Sequence, residues 1–242
     1  MQPRLFLMAV LLLATLAVTN SGKVLQNLKG QVSYAVPSGA PQALAQNAGI
    51  ALRDRDEAIT GAASLAGVNL PDSSRVLVGS NTRVQLAFFN QRSIAHAKFV
   101  LYHGRIRFTV EHPAGARADY VFQTPTASVS VRGTQGDIGL SSDGTLRVNV
   151  YSVSDPNLPV EVTLPDGNVI TLVAGKSLLA RMVNGIVQTQ VENLTQQLVN
   201  QFSPDFGVPT NWTQLKQTLI QQVKNRLPCP PFIGCPPREA SR

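Results

Sequence analysis

The stretch TPTASVSVRGTQGDIGLSSDG, residues 124–144, alternates small polar and apolar residues and then breaks at an arginine, a glycine and a threonine. On a strand, Val129 and Val131 fall on one face, whereas the two serines and Arg132 fall on the other. This alternation is typical of a half-buried β-strand. The break therefore predicts a strand that ends at a sharp corner.

The corner Arg132-Gly133-Thr134 is predicted to be structural. Gly133 permits a tight turn that a side chain would block, and Thr134 can bond the local backbone. Arg132 is expected to clamp the corner by reaching Asp137 or Asp119. A ligand-contacting arginine is the alternative. Together with the start of the strand, where proline has no N–H to donate, the candidate residues are Thr124, Pro125, Arg132, Gly133, Thr134 and Asp137.

Similar short strands surround this stretch from about residue 30 to residue 181. They are rich in Val, Ile, Phe and Thr, and turn signals separate them. Because turn-then-strand units recur, the sequence predicts a mainly β fold of stacked short strands. A solenoid-like stack is favoured, and a sandwich is the alternative. The predicted strands are 84–89, 98–103, 105–112, 119–124, 127–132, 145–153, 159–164 and 168–173.

Two segments depart from the β pattern. The Ala-rich residues 40–64 predict a short helix or an irregular excursion between strands. Beyond residue 185, the segments 187–202 and 211–227 each place apolar residues along one helical face. These segments predict two C-terminal amphipathic helices that dock on the β unit, with partner binding as the alternative role.

The N-terminus predicts export. Arg4 precedes an unbroken apolar run from Leu5 to Val18, which suits the core of a signal peptide and is short for a membrane span. We therefore expect a signal peptide over residues 1–21 and a periplasmic or extracellular protein. An uncleaved N-terminal membrane anchor is the alternative.

The cysteines and the charge fit an exported protein. Cys229 and Cys235 lie in the Pro-rich tail, residues 228–242, and predict a small disulfide loop in an oxidising compartment. The formal net charge is +7, which fits an ordinary soluble surface with excess Lys and Arg. Attraction to an acidic wall polymer or peripheral contact with anionic lipid is the alternative. Nucleic acid is not expected as a partner, because export removes the chain from the cytoplasm.

No constellation in the sequence predicts catalysis. None of the three histidines has a neighbour at the spacing of a metal motif, and several aspartates precede serine or glycine, as turn residues do. The chain lacks a nucleophile elbow, a phosphate loop and a dinucleotide fingerprint. The sequence thus predicts a protein that is not an enzyme and that uses no metal or cofactor. The residues considered are His96, His103, His112, Asp72, Asp143 and Asp166.

Several short motifs follow one another in a familiar order. They are Gly104-Arg105 before Phe108 and Val110, Tyr120 and Phe122 before Thr124-Pro125, Val129 and Val131 before Gly133-Thr134, and Asp143-Gly144 before Val148 and Val150. In this order they resemble the FecR domain, the exported domain of iron-dicitrate-type signalling regulators and of many secreted bacterial proteins. The family usually has an aromatic residue two positions after the Gly-Thr pair, where this chain has Gly136.

The resemblance implies a FecR-like β domain over residues 22–184, followed by the helical segment 185–227. It implies the fold more than the signalling role. We expect a non-catalytic exported binding module of the bacterial envelope, whose partner is an envelope protein or a cell-wall or surface polymer. A periplasmic sensor or regulatory component of a cell-surface signalling or iron-uptake system is the alternative. A carbohydrate-active hydrolase is the third hypothesis.

Overall fold

The computed structural model describes residues 22–92, 94–111, 117–209, 212 and 214–217, and it is mainly β, as predicted. Residues 212 and 214–217 are helical. The strands are β1 Val24–Lys29, β2 Val32–Ala35, β3 Gln42–Leu44, β4 Gly49–Ala51, β5 Glu57–Thr60, β6 Leu65–Asn69, β7 Arg75–Val78, β8 Arg83–Gln91, β9 Ile94–Thr109, β10 Arg117–Gln123, β11 Ser128–Val131, β12 Thr134–Leu140, β13 Leu146–Val153, β14 Val160–Thr163, β15 Val169–Leu172, β16 Lys176–Val183 and β17 Ile186–Asn193. The helices are α1 Gln196–Asn200 and α2 Ser203–Phe206.

The strands form two sheets that share β9. Sheet A is antiparallel, in the order β4-β1-β6-β7-β9-β12-β13-β16-β17. Sheet B has the order β3-β2-β5-β8-β9-β10-β11-β14-β15, in which only the β9–β10 pair is parallel. The first part of β9 pairs in sheet B, and residues 104–109 pair in sheet A. After β9 the chain alternates between the sheets one hairpin at a time.

A single apolar core is formed by the facing sides of both sheets. In sheet A a continuous row of cross-strand neighbours is completely buried: Val78, Ile106, Ile138, Val148 and Leu178. In sheet B, Phe99 stacks on Phe122 at 5.4 Å between ring centroids. Phe122 also meets Phe108 of sheet A at 5.0 Å. Since each buried aromatic contributes about 1.5–3 kcal/mol, this contact is a main link between the sheets.

The helix predicted over 187–202 is wrong for most of its length. Residues Ile186–Asn193 form β17, the second strand of a hairpin with β16. Asn184 and Gly185, at φ 51° and 78°, connect the two strands in the two-residue turn that such hairpins favour. Val187 and Val191 are four residues apart, a spacing that fits one face of a helix and equally one face of a strand.

One further predicted segment lies on described residues, and three others lie wholly or mostly outside them. Residues 40–64 hold β3, β4 and β5, so neither a helix nor an irregular excursion describes them. The signal peptide (1–21), most of the second predicted helix (211–227) and the tail with Cys229 and Cys235 lie outside the described residues. In the part of the chain that is described, no helix is long and apolar enough to cross a membrane.

Gly136, the position where the related family usually has an aromatic residue, lies at a β-bulge between β12 and β13. A Cβ at this position would lie 2.4 Å from the Asn149 carbonyl oxygen and 2.6 Å from the Phe108 ring. The ring of Phe108 therefore fills the space that a side chain at residue 136 would need.

We predict that Gly136→Ala lowers the free energy of unfolding by about 1–3 kcal/mol, the usual cost of overpacking a core. Thermal and urea denaturation measure the effect. Gly22→Ala is the control, because a Cβ there meets nothing within 4 Å. Equal melting temperatures for the two variants would contradict the account of this bulge.

Candidate functional site

The predicted corner forms, but Arg132 selects the aspartate outside it. Gly133 adopts a left-handed φ of 64°. Arg132 Nε donates to Asp119 Oδ1 at 2.7 Å, which is one of the two partners considered from the sequence. Both side chains are about one-third exposed, at 36% and 35%. The contact joins β10 to the end of β11, and a role for Arg132 in ligand contact stays a prediction.

The threonines of the candidate set behave differently from each other. Thr124 closes the turn before β11, because its Oγ1 donates to the Ala127 carbonyl at 2.8 Å and accepts from the Ala127 N–H at 3.0 Å. Pro125 lies inside this turn. The buried Thr134 hydroxyl has no hydrogen-bond partner in the described part of the chain. The predicted bond from the Thr134 side chain to the local backbone is therefore wrong.

Asp137, the last of the candidates, is the centre of a buried polar cluster on the outer face of sheet A. Arg107 Nε and Nη2 donate to its two carboxylate oxygens at 2.7 and 2.9 Å. The Tyr151 hydroxyl donates to Oδ2. The Asp137 side chain is fully buried, and that of Arg107 is 6% exposed. Three donors thus converge on one carboxylate that water does not reach.

Electrostatics within this cluster favour a retained ion pair. Burial raises the pKa of Asp137, and the hydrogen bonds from Arg107 oppose that shift. Burial alone would lower the pKa of Arg107, but Asp137 raises it overall. Burial and the neighbouring carboxylate raise the pKa of Tyr151, so its hydroxyl stays a donor. The hydrogen bonds of the cluster therefore hold the charged groups of Arg107 and Asp137 next to each other.

The cluster belongs to a polar row that crosses sheet A. Cross-strand register places Arg107, Asp137, Asn149, Ser177 and Glu192 side by side from β9 to β17. Ser177 Oγ donates to Asn149 Oδ1 at 2.7 Å. From the neighbouring row, Arg147 Nη1 donates to Ser177 Oγ at 3.0 Å and to Glu192 Oε1 at 2.8 Å. Directly bonded polar side chains therefore run from Asn149 to Glu192 on the edge strand, whereas the buried Asn149 Nδ2 has no hydrogen-bond partner among the described residues.

Residues 194–209, 212 and 214–217, here named the C-terminal segment, cover part of this row. Arg107 Nη1 donates to the carbonyls of Phe206 and Gly207 at 3.2 and 2.9 Å. Asp205 accepts from the backbone N–H and the hydroxyl of Ser80 and from Arg105 Nη1 at 3.3 Å. An apolar patch completes the contact, formed by Tyr151, Leu194, Leu198, Val199 and Trp212.

A groove of about 800 Å³ lies between the C-terminal segment and the ends of the sheet A strands. Its floor includes Gly139, which Arg105 and Arg147 flank as direct cross-strand neighbours. The Arg105 side chain is 47% exposed. Hydroxyl groups line the wall beside the arginines, from Ser80, Ser141, Ser142 and Thr145. The groove therefore combines two guanidinium groups, each also paired with a carboxylate (Asp205 or Glu192), with hydroxyl groups. Guanidinium and hydroxyl groups suit carboxylates and main-chain carbonyls.

No group of three or more His, Cys, Asp or Glu side chains that could hold a metal occurs among the described residues. The carboxylates that the sequence assigned to turns act in turns: Asp143 and Asp166 accept from the backbone N–H two residues on. Asp72 is buried and also accepts from the Tyr120 hydroxyl at 2.7 Å.

Sequence reasoning missed the residues that matter most here. Arg105 and Arg107 alternate with Ile106 and Phe108, so they read as the solvent-facing side of an ordinary strand. Only the later apolar residues of the C-terminal segment indicate that this face is covered. The sequence does contain an alternating strand and a later segment with apolar residues. However, a single sequence does not show which sheet face that later segment covers.

Comparison with known proteins confirms the predicted resemblance. The family model described as FecR protein matches residues 56–154, which include the corner and the Arg107–Asp137 pair. No curated protein matches the chain. Two crystal structures from Parabacteroides distasonis ATCC 8503, each described as a "putative anti-sigma factor", are similar in fold. One is 22% identical with a TM-score of 0.48, over 60% of this chain and 63% of the other. The second is 20% identical with a TM-score of 0.47, over 60% and 64%. The chain thus spans less than two thirds of either structure.

We predict that Asp137→Ala lowers the free energy of unfolding by about 3–5 kcal/mol, because it leaves the Arg107 charge buried without its partner. Urea denaturation measures the loss. Asp143→Ala, at an exposed turn, is the control and is expected to leave the denaturation midpoint nearly unchanged. Similar losses in the two variants would show that the buried pair has no special weight.

We predict that Asp205→Ala loosens the C-terminal segment while the β unit stays folded. Trp212 is the single tryptophan of the chain, and it is buried at 4% exposure in this segment. Its fluorescence should shift to longer wavelength as the indole becomes hydrated, and the circular dichroism of the strands should not change. Asp155→Ala, in a turn between β13 and β14, is the control. An unshifted spectrum would mean that the polar contacts of Asp205 do not hold the segment.

Proposed function

We propose that this chain, whose residues 56–154 match the FecR family, is a non-catalytic exported binding module of the bacterial envelope. Its partner is an envelope protein that places a carboxylate-bearing or extended polar segment in the groove beside the C-terminal segment. The β unit acts as a solenoid-like stack of hairpins that presents this groove on a rigid sheet.

The observation that carries the proposal is the pair of arginines on either side of Gly139. Cross-strand neighbours lie about 5 Å apart, so Arg105 and Arg147 stand roughly 10 Å apart across one strand. Gly139 lies between them, and the buried Phe202 ring packs over this glycine, since a Cβ there would lie 3.0 Å from Phe202 Cζ. Guanidinium groups bind carboxylates with paired, charge-assisted hydrogen bonds. The net charge of +7 also favours the approach of an acidic partner.

Three carboxylates of sheets A and B are already engaged by arginines, which favours binding over hydrolysis. Among the described residues, the buried carboxylate of Asp137 is already held by Arg107 and Tyr151. The partly exposed carboxylates of Asp119 and Glu192 are held by Arg132 and Arg147. A glycoside hydrolase needs two carboxyl groups about 5–9.5 Å apart that face a substrate. The hydrolase hypothesis therefore has little support.

A regulatory role in cell-surface signalling is the second candidate, favoured by the match to the FecR family. In this version the partner is a sensor or transporter, and the change that signals occupancy involves the C-terminal segment. Arg105 supports this role, because it contacts both the groove and the segment through the Gln201 carbonyl and Asp205. A ligand that takes Arg105 must compete with those contacts.

The test is to immobilise the full chain and isolate its partner from an envelope extract, then to measure the affinity of that purified partner for variants. Arg147→Gln should weaken binding about tenfold or more, since a hydrogen bond to a charged group is worth about 1.5–3 kcal/mol. Arg83→Gln is the matched control, an exposed arginine of sheet B that also pairs with a glutamate.

The outcomes separate the hypotheses. Loss of binding with Arg147→Gln alone supports the groove, and an accompanying shift of Trp212 fluorescence on binding supports the regulatory version. Equal weakening by Arg83→Gln would reduce the interaction to general positive charge. Unchanged binding in both variants would place the partner elsewhere.

A further inference from the structure

Within the described residues, the buried row of sheet A leads to exposed apolar side chains at its last hairpin. The row of completely buried residues from Val78 to Leu178 continues by register to Val191 on β17, and the Val191 side chain is 47% exposed. Met182, on the same side of the hairpin, is also 47% exposed, and Ile186 at the turn is 69% exposed. The apolar residues on the inner face of the β16–β17 hairpin therefore extend beyond the part of sheet A that sheet B covers.

β17 is also an open edge. Within the described residues it pairs only with β16, over its full length of eight residues and without a bulge. Natural sheets protect such edges with short strands, proline, lysine or bulges. The opposite edges of the two sheets follow this rule, because β3 and β4 have three residues each. The sequence of β17, IVQTQVEN, contains no proline and no lysine.

The hydrogen-bonding pattern determines which residues of β17 face outward. The Leu194 N–H donates to the Gly175 carbonyl at 2.7 Å, and antiparallel pairs alternate along a ladder. Even-numbered residues of β17 therefore bond to β16. The N–H and C=O groups of Val187, Thr189, Val191 and Asn193 point to the free edge.

We propose that β17 pairs antiparallel with β17 of a second copy of this chain, around a two-fold axis at Thr189. This register brings the outward-facing groups of both strands opposite each other and uses the most of them. It places Val187 opposite Val191 of the second copy, Thr189 opposite Thr189, and Gln188 opposite Gln190. Sheet A then becomes an 18-stranded sheet, twice its nine strands, across the dimer.

Side-chain chemistry makes the edge self-complementary. The valine pairs extend the apolar row, and Thr–Thr pairs are favourable cross-strand neighbours. The one charged residue of the strand, Glu192, faces Ile186 of the second copy, so no like charges are opposed. Glu192 is also neutralised within its own chain by Arg147. A second copy satisfies all of these conditions at once, because the pattern of the strand is symmetric about Thr189.

The two proposals share one contact, from Arg147 in the groove to Glu192 on β17. However, β17 contributes no residue to the groove lining, and Thr189, the residue that tests the dimer, takes no part in that contact. Failure of one therefore does not imply failure of the other. A contact made by one strand from each copy is small compared with stable interfaces, so we expect a reversible dimer that dissociates on dilution.

Sedimentation equilibrium of the full chain should show a mass that rises with concentration from 26.0 kDa towards twice that value. Thr189→Pro should raise the dissociation constant about tenfold or more, because it removes an outward N–H and leaves the β16 ladder intact. Thr171→Pro is the matched control. It changes the same residue type at an outward-facing position of β15, the edge of sheet B, and should leave the dimer unchanged.

Cross-linking checks the register. With Cys229 and Cys235 changed to serine, Thr189→Cys should form a disulfide-linked dimer, because residues on the axis have Cα atoms about 5.5 Å apart. Val191→Cys should not, because its two copies lie roughly 14 Å apart in this register.

Three results would overturn the proposal. They are a monomer at all concentrations, a dimer that Thr189→Pro does not weaken, or cross-linking through Val191→Cys but not Thr189→Cys. A monomer whose β17 amides become protected from hydrogen exchange only after envelope extract is added would identify a different protein as the occupant of this edge.

Discussion

The buried ion pair between Arg107 and Asp137 is the constraint on which the outer half of this structure depends. A charge without water must have every donor and acceptor engaged, or it destabilises the fold by several kcal/mol. Two of the Arg107 nitrogens bond to Asp137, and the third donates to the carbonyls of Phe206 and Gly207. The C-terminal segment is thus required by the pair that it covers.

This requirement explains why the outer face of sheet A is polar and is nevertheless partly covered, by the C-terminal segment. The inner faces of the sheets form the apolar core through contacts such as Phe108 with Phe122. The outer face of sheet A carries charged and amide groups instead, and it is buried only where the C-terminal segment packs. A face built in this way specifies one docking position, because a displaced segment would leave Arg107 partly unbonded. The groove beside the C-terminal segment therefore has a fixed shape.

Local patterns in the sequence were sufficient for many of the strands between residues 84 and 173, but not for the partners of their polar residues. Alternation such as SVSV, and turn residues such as Gly133, act within a few positions, so both could be read directly. The partner of Arg132 depended on which strands adjoin, and the sequence could only offer Asp119 and Asp137 together. Arg107 was missed for the same reason: its partner is 30 residues away, and its burial depends on residues 206 and 207. The helix predicted over 187–202 was wrong for another reason. A spacing of four residues fits both the helical and the strand period, and the turn at Asn184-Gly185 decides between the two.

The path of the chain after β17 relates the two surfaces to each other. The last strand of a sheet exposes unpaired N–H and C=O groups, which proteins usually cover or protect. Here the described part of the C-terminal segment turns back over the outer face of sheet A, where the Arg107 cluster holds it. It therefore stabilises the face and leaves the edge of β17 uncovered. Arg147 belongs to both surfaces, since it lines the groove and holds Glu192 on the edge strand. The course of the described chain after β17 therefore stabilises the charged outer face of sheet A and leaves the edge of β17 free to pair.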